Sequence, residues 1–450
     1  MSTDTVRARA TDEVAERRRE QHGWYFYDWA CSVYSTSVLT VFLGPYLTSV
    51  AKHAADADGF VHPLGIPIRA GSFFAYSVSA SVILSIFVMP MAGAAGDRTG
   101  RKKPLLAASA YLGAAATTGM FFLDGDRYLL GGLLLVVANA SVAVSMVLYN
   151  SYLPQIAPPE ERDAVSSRGW AFGYAAGSLV LIGNLVLFTA HDSFGVSEST
   201  AVRICLASAG IWWGAFTLVP LKRLRDRRTA PGGGRAPAHG WRQLAATVRD
   251  MRGKPLTLSF LLAYLVYNDG IQTVISQASV YGSEELGLSQ STLIVAVLLV
   301  QVLAVGGALG MGRLARTYGA KRTILGSLVA WTVTLAAGYF LPAGAPVWFF
   351  VLAAGIGLVL GGSQALSRSL FSHLVPSGKE AEYFSAYEMS DRGMSWLGPL
   401  LFGLTYQLTG SYRDAIISLV AFFVIGFALL ARVPVRQAIR DAGNPVPDRI

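Results

Sequence analysis

The chain has 450 residues, of which 53% are hydrophobic and 14% charged. Ordinary soluble domains carry about 25% charged residues, so a soluble fold of this size could not cover its surface; the chain is also too apolar for disorder, and its two cysteines, Cys31 and Cys205, are too few for a disulfide scaffold. The formal charge of +9 would suggest nucleic acid in a soluble protein, so the placement of the basic residues decides what it means. Residues 1–23 are polar, with Arg17, Arg18 and Arg19 but no apolar run ahead of a cleavage site, and read as a tail rather than a signal peptide. Apolar runs of helical length follow near 26–50, 71–95, 104–123, 128–153, 166–190 and 201–220. After a polar stretch at 221–254 come 256–281, 290–312, 323–341, 346–370, 383–408 and 411–432. A bilayer core takes about 20 apolar residues as a helix, and these runs are too long, and too poor in strict alternation, for barrel strands. The expectation is an all-α membrane protein with twelve transmembrane helices in two six-helix, pseudo-symmetric halves.

Basic residues set the orientation. Of the 37 Lys and Arg residues, four (Lys52, Arg69, Arg127 and Arg413) fall in odd-numbered connections, and Arg203, Arg368 and Arg392 lie within runs. The remaining 30 sit in the tails and even-numbered connections. That bias predicts both termini on the cytoplasmic side of a multi-pass protein, and the richness in Ala, Gly and Arg suggests a high-GC bacterium, hence the cell membrane. It also accounts for the charge without a nucleic-acid partner. In the middle stretch, Trp241, Leu244, Ala245, Val248 and Met251 recur at helical spacing, with Arg242, Arg249 and Arg252 on the other face. This predicts a short amphipathic helix at the interface or a solvated linker. The expected organisation is a tail (1–23), an N-terminal bundle (24–220), a central loop (221–254), a C-terminal bundle (255–432) and a second tail (433–450).

Short segments recur at an offset of roughly 220 residues. Gly93-Ala94-Ala95-Gly96-Asp97-Arg98-Thr99-Gly100-Arg101-Lys102 follows the second run, and Gly312-Arg313-Leu314-Ala315-Arg316-Thr317-Tyr318-Gly319 follows the eighth. Tyr27-Asp28 pairs with Asn268-Asp269, and Ser167-Arg168-Gly169 with Asp391-Arg392-Gly393. Repeated bundles of this kind are an architecture of secondary carriers. The first of these loops resembles the signature loop of the major facilitator superfamily. Trp24-Tyr25-Phe26-Tyr27-Asp28-Trp29-Ala30, Ser166-Ser167-Arg168-Gly169, Tyr267-Asn268-Asp269-Gly270, Gly362-Ser363-Gln364-Ala365-Leu366-Ser367-Arg368 and Ser390-Asp391-Arg392-Gly393 are similar to its vacuolar-effluxer-like branch.

That resemblance implies a gating role for Gly93, Asp97, Arg98, Gly100, Arg101 and Lys102, and for Gly312, Arg316 and Gly319 in the second half. Asp97 is expected to meet a helix N-terminus, where partial positive charge collects. Glu380 and Glu382 are candidate partners for Arg101, Lys102 or Lys103, and Glu160, Glu161 and Asp163 for Arg316. The alternative is solvated surface charge. The resemblance also implies that runs 1, 4, 7 and 10 line a cavity. They carry Asp28, Asn139, Asn150, Asn268, Asp269, Gln272, Gln364 and Arg368 as substrate or coupling candidates, with Arg392 in run 11 beside them and Glu388 and Asp391 in reserve. An ionisable group at mid-membrane costs roughly 2.5–3.5 kcal/mol on insertion scales, so it lines a cavity, has a partner or fixes packing. Asp28, near a helix end, has a capping role as its rival reading.

The expected function is a secondary active carrier for a small polar solute, amino-acid-like and exported, coupled to protons and working as a monomer in a lipid bilayer without a cofactor. Gly355-x-Gly357-x-x-x-Gly361 lies inside an apolar run with no preceding strand and is not a nucleotide loop; no Gly-x-x-x-x-Gly-Lys-Ser/Thr motif occurs. A membrane enzyme would need a motif such as His-Glu-x-x-His or Gly-x-Ser-x-Gly, and neither occurs. A sensor or scaffold on the same fold is the third reading. Gly169, Gly173 and Gly177 form a face for close helix approach, and the superfamily's antiporter Gly-Pro is missing from run 5, which leaves the direction of exchange open.

Overall fold

The structure is a computed structural model, and it describes residues 3–227, 249–393 and 397–450. The chain is almost entirely helical. Among the described residues ten helical stretches are long and apolar enough to cross a membrane, by length and composition. At the ninth and eleventh expected runs lie the helix Ala320–Tyr339 and the pair Glu380–Gly393 and Leu397–Thr409, which are not among the ten. The chain divides into two compact units, Met1–Tyr152 with Ala175–Trp241, and Leu153–Tyr174 with Arg242–Ile450.

In the first unit, α1 (Thr3–Val33) runs without a break through a π-helical stretch, Tyr34–Phe42, into α2 (Leu43–His53). The polar residues expected as a tail are therefore helical. Charge explains the extension: on successive turns Glu16 and Glu20 pair with Arg225 and Arg227, and His22 meets Arg223. A small antiparallel hairpin, Phe60–Val61 with Ile68–Arg69, precedes α3 (Phe73–Thr99). It is tied by Asp56, which accepts from the backbone of Asp58 and Phe60 and pairs with His62 at 2.8 Å. The His62 contact holds the Asp56 carboxyl below its ordinary range. Then come α4 (Lys102–Gly119), α5 (Tyr128–Asn150), α6 (Arg162–Thr189) and α7 (Glu198–Arg223). α3 and α4 pack on α5, and α1 and α4 on α7, around fully buried Trp24, Tyr27, Tyr149 and Trp213.

The second unit holds α8 (Pro255–Val280), α9 (Gln290–Tyr318), α10 (Ala320–Tyr339), α11 (Pro346–His373), α12 (Glu380–Gly393), α13 (Leu397–Thr409), α14 (Tyr412–Ser418), α15 (Val420–Arg432) and α16 (Val435–Asp441). Pro255 and Pro346 open their helices, where a missing N–H costs nothing, and the Ser289 hydroxyl caps α9 by accepting from Thr292 N. The part of α6 up to Tyr174 groups with this unit rather than with the N-terminal residues before it. The reason lies in its side chains, which bind α11 as described below. The C-terminal tail is also built. α16 lies in it, Asn444 Nδ2 donates to the carbonyls of His373 and Val375, and Val446 and Ile450 pack on the core.

The two repeated loops fold alike. α3 gives way to α4 at Gly100, and α9 to α10 at Gly319, both at positive φ (61° and 88°) where a side chain would be strained. In the middle stretch, Trp241, Arg242, Leu244, Ala245 and Val248 lie outside the described residues. Residues 249–252 are helical, with Met251 buried and Arg249 and Arg252 exposed.

Candidate functional site

The second unit holds a buried polar network built from three helices. Asn268 on α8 is 1% exposed, too buried to leave its amide unmade. Gln364 Nε2, from α11, donates to Asn268 Oδ1 at 2.7 Å. Asn268 Nδ2 donates to Asp391 Oδ1 on α12 at 2.6 Å, and the Tyr264 hydroxyl donates to the same oxygen at 3.1 Å. The donors therefore run in one direction and end on a carboxylate, an arrangement in which each bond polarises the next. Aromatic rings wall it: Tyr264 stacks on Tyr387 at 4.4 Å and meets Tyr267 edge-on, and the Tyr267 hydroxyl shares a 2.6 Å bond with Ser367. Asp391, held in reserve by sequence reasoning, is thus the hub. Gln272 is half-buried, and the side chain of Arg392 lies outside the described residues.

Asp269, the neighbour of Asn268, takes no part in that chain. Its Oδ2 accepts the backbone N–H of Gly398, on α13, at 2.8 Å. A side chain at position 398 would collide with the Thr273 hydroxyl, so glycine lets this part of α13 come this close.

One helical turn beyond Gln364, Arg368 is 1% exposed. Its Nε donates to Ser166 Oγ and its NH2 to the Ser166 carbonyl, both at 2.9 Å, and its guanidinium lies 5.4 Å from the Trp170 ring centroid. Ser166 Oγ in turn donates to the Ala365 carbonyl. Arg162, also buried, donates to the carbonyls of Ala157, Pro154 and Ser372. These contacts tie the start of α6 to α11. Arg168, in the segment Ser166-Ser167-Arg168-Gly169, is exposed, and the buried arginine at the start of α6 is Arg162. The signal for Arg162 was only a basic residue opening an apolar run.

The second signature loop packs on the same segment. A Cβ on Gly312 would press into Ser167, and Arg316, exposed at the end of α9, is an electrostatic neighbour of Asp163. Asp163 is among the acidic residues expected opposite it. Beside α12, Asp250 accepts from Lys379 at 2.8 Å and from the Tyr383 hydroxyl at 2.9 Å. Burial pushes its carboxyl up, and the bonds from Lys379 and Tyr383 outweigh this, leaving it below the ordinary carboxylate range.

In the first unit the candidates form separate groups. Asp28 Oδ2 accepts from the Tyr149 hydroxyl at 2.6 Å, while Trp24 stacks on Tyr149 at 4.4 Å and donates to its carbonyl. Asn150, next along, is buried. Asn139 lies ten residues back, about 15 Å along α5, and donates to Ser81 Oγ at 2.6 Å. The structure does not bring Asn139 and Asp28 together. In the first signature loop, Asp97 and Lys102 form a buried ion pair at 2.9 Å, Gly93 is buried, and Arg98 and Arg101 are exposed. Lys103 Nζ donates to the Leu224 carbonyl.

Helical bundles with paired Gly-turned loops and buried polar groups at mid-helix define a membrane transporter of the major facilitator superfamily. The fold agrees with that of the superfamily's proton:xylose symporter XylE, with a TM-score of 0.65 at 15% identity over 94% of this chain and 96% of that one. Residues 16–443 match the model of the family described as "Vacuole effluxer Atg22 like", and the chain belongs to that family. Its relatives include the MFS-type transporter YxiO of Bacillus subtilis (strain 168), 29% identical over 92% of this chain and 95% of the relative. Autophagy-related protein 22 of Coccidioides immitis (strain RS) is 28% identical over 94% of this chain and 88% of its own length.

Proposed function

We propose that this transporter is a proton-coupled secondary carrier that exports a small polar, amino-acid-like solute from the cytoplasm by alternating access. It works as a monomer in the cell membrane with both termini inside. The observation that carries the reading is the one-way chain Gln364–Asn268–Asp391. A carboxylate fed by neutral amides and a phenol is an acceptor that an ammonium group can address, and the amides can re-pair with a solute's polar atoms. Amides freed by a solute would otherwise stand buried and unpaired, which favours solutes that replace those bonds over apolar ones. The family's effluxer description supports the outward direction. Arg316 with Asp163, and Asp97 with Lys102, are proposed as gating contacts.

Counterflow in proteoliposomes tests this. Vesicles loaded with one amino acid at a time should take up its labelled form, and Asn268→Ala or Asp391→Asn should lower uptake at least ten-fold. Full uptake in both variants removes the network from the solute path. Absence of counterflow for every amino acid tried removes the solute class.

A further inference from the structure

We propose that the seam between α1 and α7 is a site for an anionic phospholipid, with the phosphate at Arg18 and Arg19 and an acyl chain along a strip of aromatic rings. Such a site concerns the bilayer rather than the solute, and it stands or falls independently of the carrier reading.

The apolar part is built by spacing. On α1, His22, Phe26 and Trp29 recur four and three residues apart, which is one helix face, and α7 answers with Trp212 and Phe216. Phe26 stacks on Phe216 with centroids 6.2 Å apart, Trp29 lies 5.7 Å from Trp212, and Trp212 lies 4.4 Å from Phe216. Phe26, Trp29, Trp212 and Phe216 are all half-buried, and beside them Ile211 and Leu218 are exposed. Two contacts fix the width of the seam. Trp212 Nε1 donates to the Trp29 carbonyl at 3.0 Å. At the other end Arg223 meets His22, and Gly23 allows the approach, since a Cβ there would lie 2.6 Å from Arg223 Cβ.

The polar part is a surplus of positive charge. Residues 14–23 and 222–227 hold seven Lys and Arg against three Asp and Glu. The acidic groups are already engaged: Glu16 with Arg225, Glu20 with Arg227, and Asp226 with the Tyr152 hydroxyl and the Lys103 backbone N–H. Arg18 and Arg19, one turn before His22 on the same face, are exposed, and among the described residues neither has an acidic partner. From Arg18 to Trp29 is about 16 Å of helix, close to the roughly 15 Å of hydrocarbon in one leaflet. A lipid whose phosphate meets the two arginines therefore lays the start of its chain on Phe26 and Trp29. Arginine holds phosphate oxygens through paired N–H donors, and aromatic rings suit the level of the headgroups. A free phosphate has no use for the rings, and a zwitterionic lipid brings no net charge to the surplus.

The test uses the purified full chain in nanodiscs of phosphatidylcholine with a minor share of phosphatidylglycerol. Bromine is carried on the acyl chains of one lipid or of the other. Bromine quenches tryptophan on contact, and the signal of Trp29 and Trp212 is the difference between wild type and Trp29→Phe/Trp212→Phe. Brominated phosphatidylglycerol should quench that signal about ten-fold more per lipid than brominated phosphatidylcholine. Arg18→Gln/Arg19→Gln should remove most of the excess and leave quenching by phosphatidylcholine in place. Equal quenching per lipid overturns the proposal, as does an excess that the arginine variant leaves unchanged. Loss of the excess on adding inorganic phosphate at constant ionic strength also overturns it, since the ligand would then be a soluble anion. A second readout needs no tryptophan variant: in native mass spectra of protein released from the same nanodiscs, wild type should retain phosphatidylglycerol and Arg18→Gln/Arg19→Gln should lose it. Equal retention in the two, or retention in neither, overturns the site.

Discussion

Gly357→Ala probes whether a glycine seam sets how closely α9 and α11 approach. A Cβ at Gly357 would lie 2.7 Å from the Val300 carbonyl oxygen and 3.0 Å from Leu303 Cβ, where ordinary contact begins at 3.4 Å. At Gly361 and Gly307 the added carbon would meet the Ala304 and Leu358 carbonyls more closely still. A carbonyl fixed in a helix cannot rotate aside, so the helices themselves must part. Overpacking of this type costs about 1–3 kcal/mol. Alanine is favoured over glycine in a helix by about 0.8–1.0 kcal/mol. The net expectation is a loss of about 0–2 kcal/mol at Gly357, with Gly361 at the upper end. Gly306 supplies the control, because nothing lies within 4 Å of a Cβ there and only the propensity gain remains. The assay is thermal unfolding in one detergent at one scan rate, since membrane proteins commonly unfold irreversibly. Midpoints should fall in the order Gly306→Ala, wild type, Gly357→Ala, Gly361→Ala. A Gly361→Ala midpoint equal to that of Gly306→Ala would refute the seam.

Lys102→Met removes the buried cation paired with Asp97, both about 5% exposed, and should cost about 3–5 kcal/mol, much of it recovered by adding Asp97→Asn; a double variant no better than the single excludes pairing as the cause. Arg368→Lys keeps the charge but loses the fork on Ser166 and the Trp170 face, and should lower both thermal midpoint and transport, with Ser166→Ala additive to it by less than its own effect. Asn444→Ala frees two carbonyls at the end of α11 and should cost about 1–2 kcal/mol, read as faster exchange in residues 435–450. Asp250, held below its unfolded range, stabilises above that range and loses the contribution as pH falls through it. The midpoint gap between wild type and Asp250→Asn should therefore hold from pH 7 down to about pH 4 and shrink below it, and a gap that stays constant below about pH 4 argues against the Lys379 and Tyr383 bonds.

The helical runs were legible because apolar length is a local property of the chain. The repeated loops were legible because Gly100 and Gly319 keep their spacing from the helices that they divide. Partnerships were not legible in this way. Asp269 and Asn268 are adjacent in sequence, but α13 takes one and α12 the other, since successive residues on a helix point about 100° apart. In Ser166-Ser167-Arg168 the arginine is exposed, and Ser166, two residues before it, is what binds Arg368. Nothing local separates the exposed Arg168 from the buried Arg162, six residues before it. The polar tail before residue 24 looked unstructured because its helix depends on Arg225 and Arg227, some 200 positions away. Gly357 and Gly361 imitated a nucleotide loop for the same reason: their spacing is that of a helix face, and its partner lies on α9.

The uneven distribution of basic residues can be separated into two causes. Many of the residues crowding the even-numbered connections cap helix C-termini. Lys321 Nζ donates to the carbonyls of Ala431 and Val433 at the end of α15, Lys254 to Asp441 at the end of α16, and Arg449 to Arg316 and Thr317 at the end of α9. Such caps satisfy orphan carbonyls and oppose the negative end of the helix dipole. Capping cannot produce the bias, however. In a chain that crosses back and forth, helix C-termini fall as often at odd-numbered connections as at even ones. Arg413, in an odd-numbered connection, caps α10 in the same manner, through the carbonyls of Tyr339 and Leu341. Glycine at positive φ closes ends at both sets: Gly410 N–H returns to the Tyr406 carbonyl at 2.7 Å in an odd-numbered connection, and Gly319 N–H to the Ala315 carbonyl at 2.8 Å in an even-numbered one. The demand for caps is thus the same at both sets of connections, and basic side chains and glycine turns meet it at both. Since capping draws on the same groups at both sets, the excess of basic residues at even-numbered connections needs a cause outside the folded helices, and retention of positive charge during insertion is the one that the count predicts.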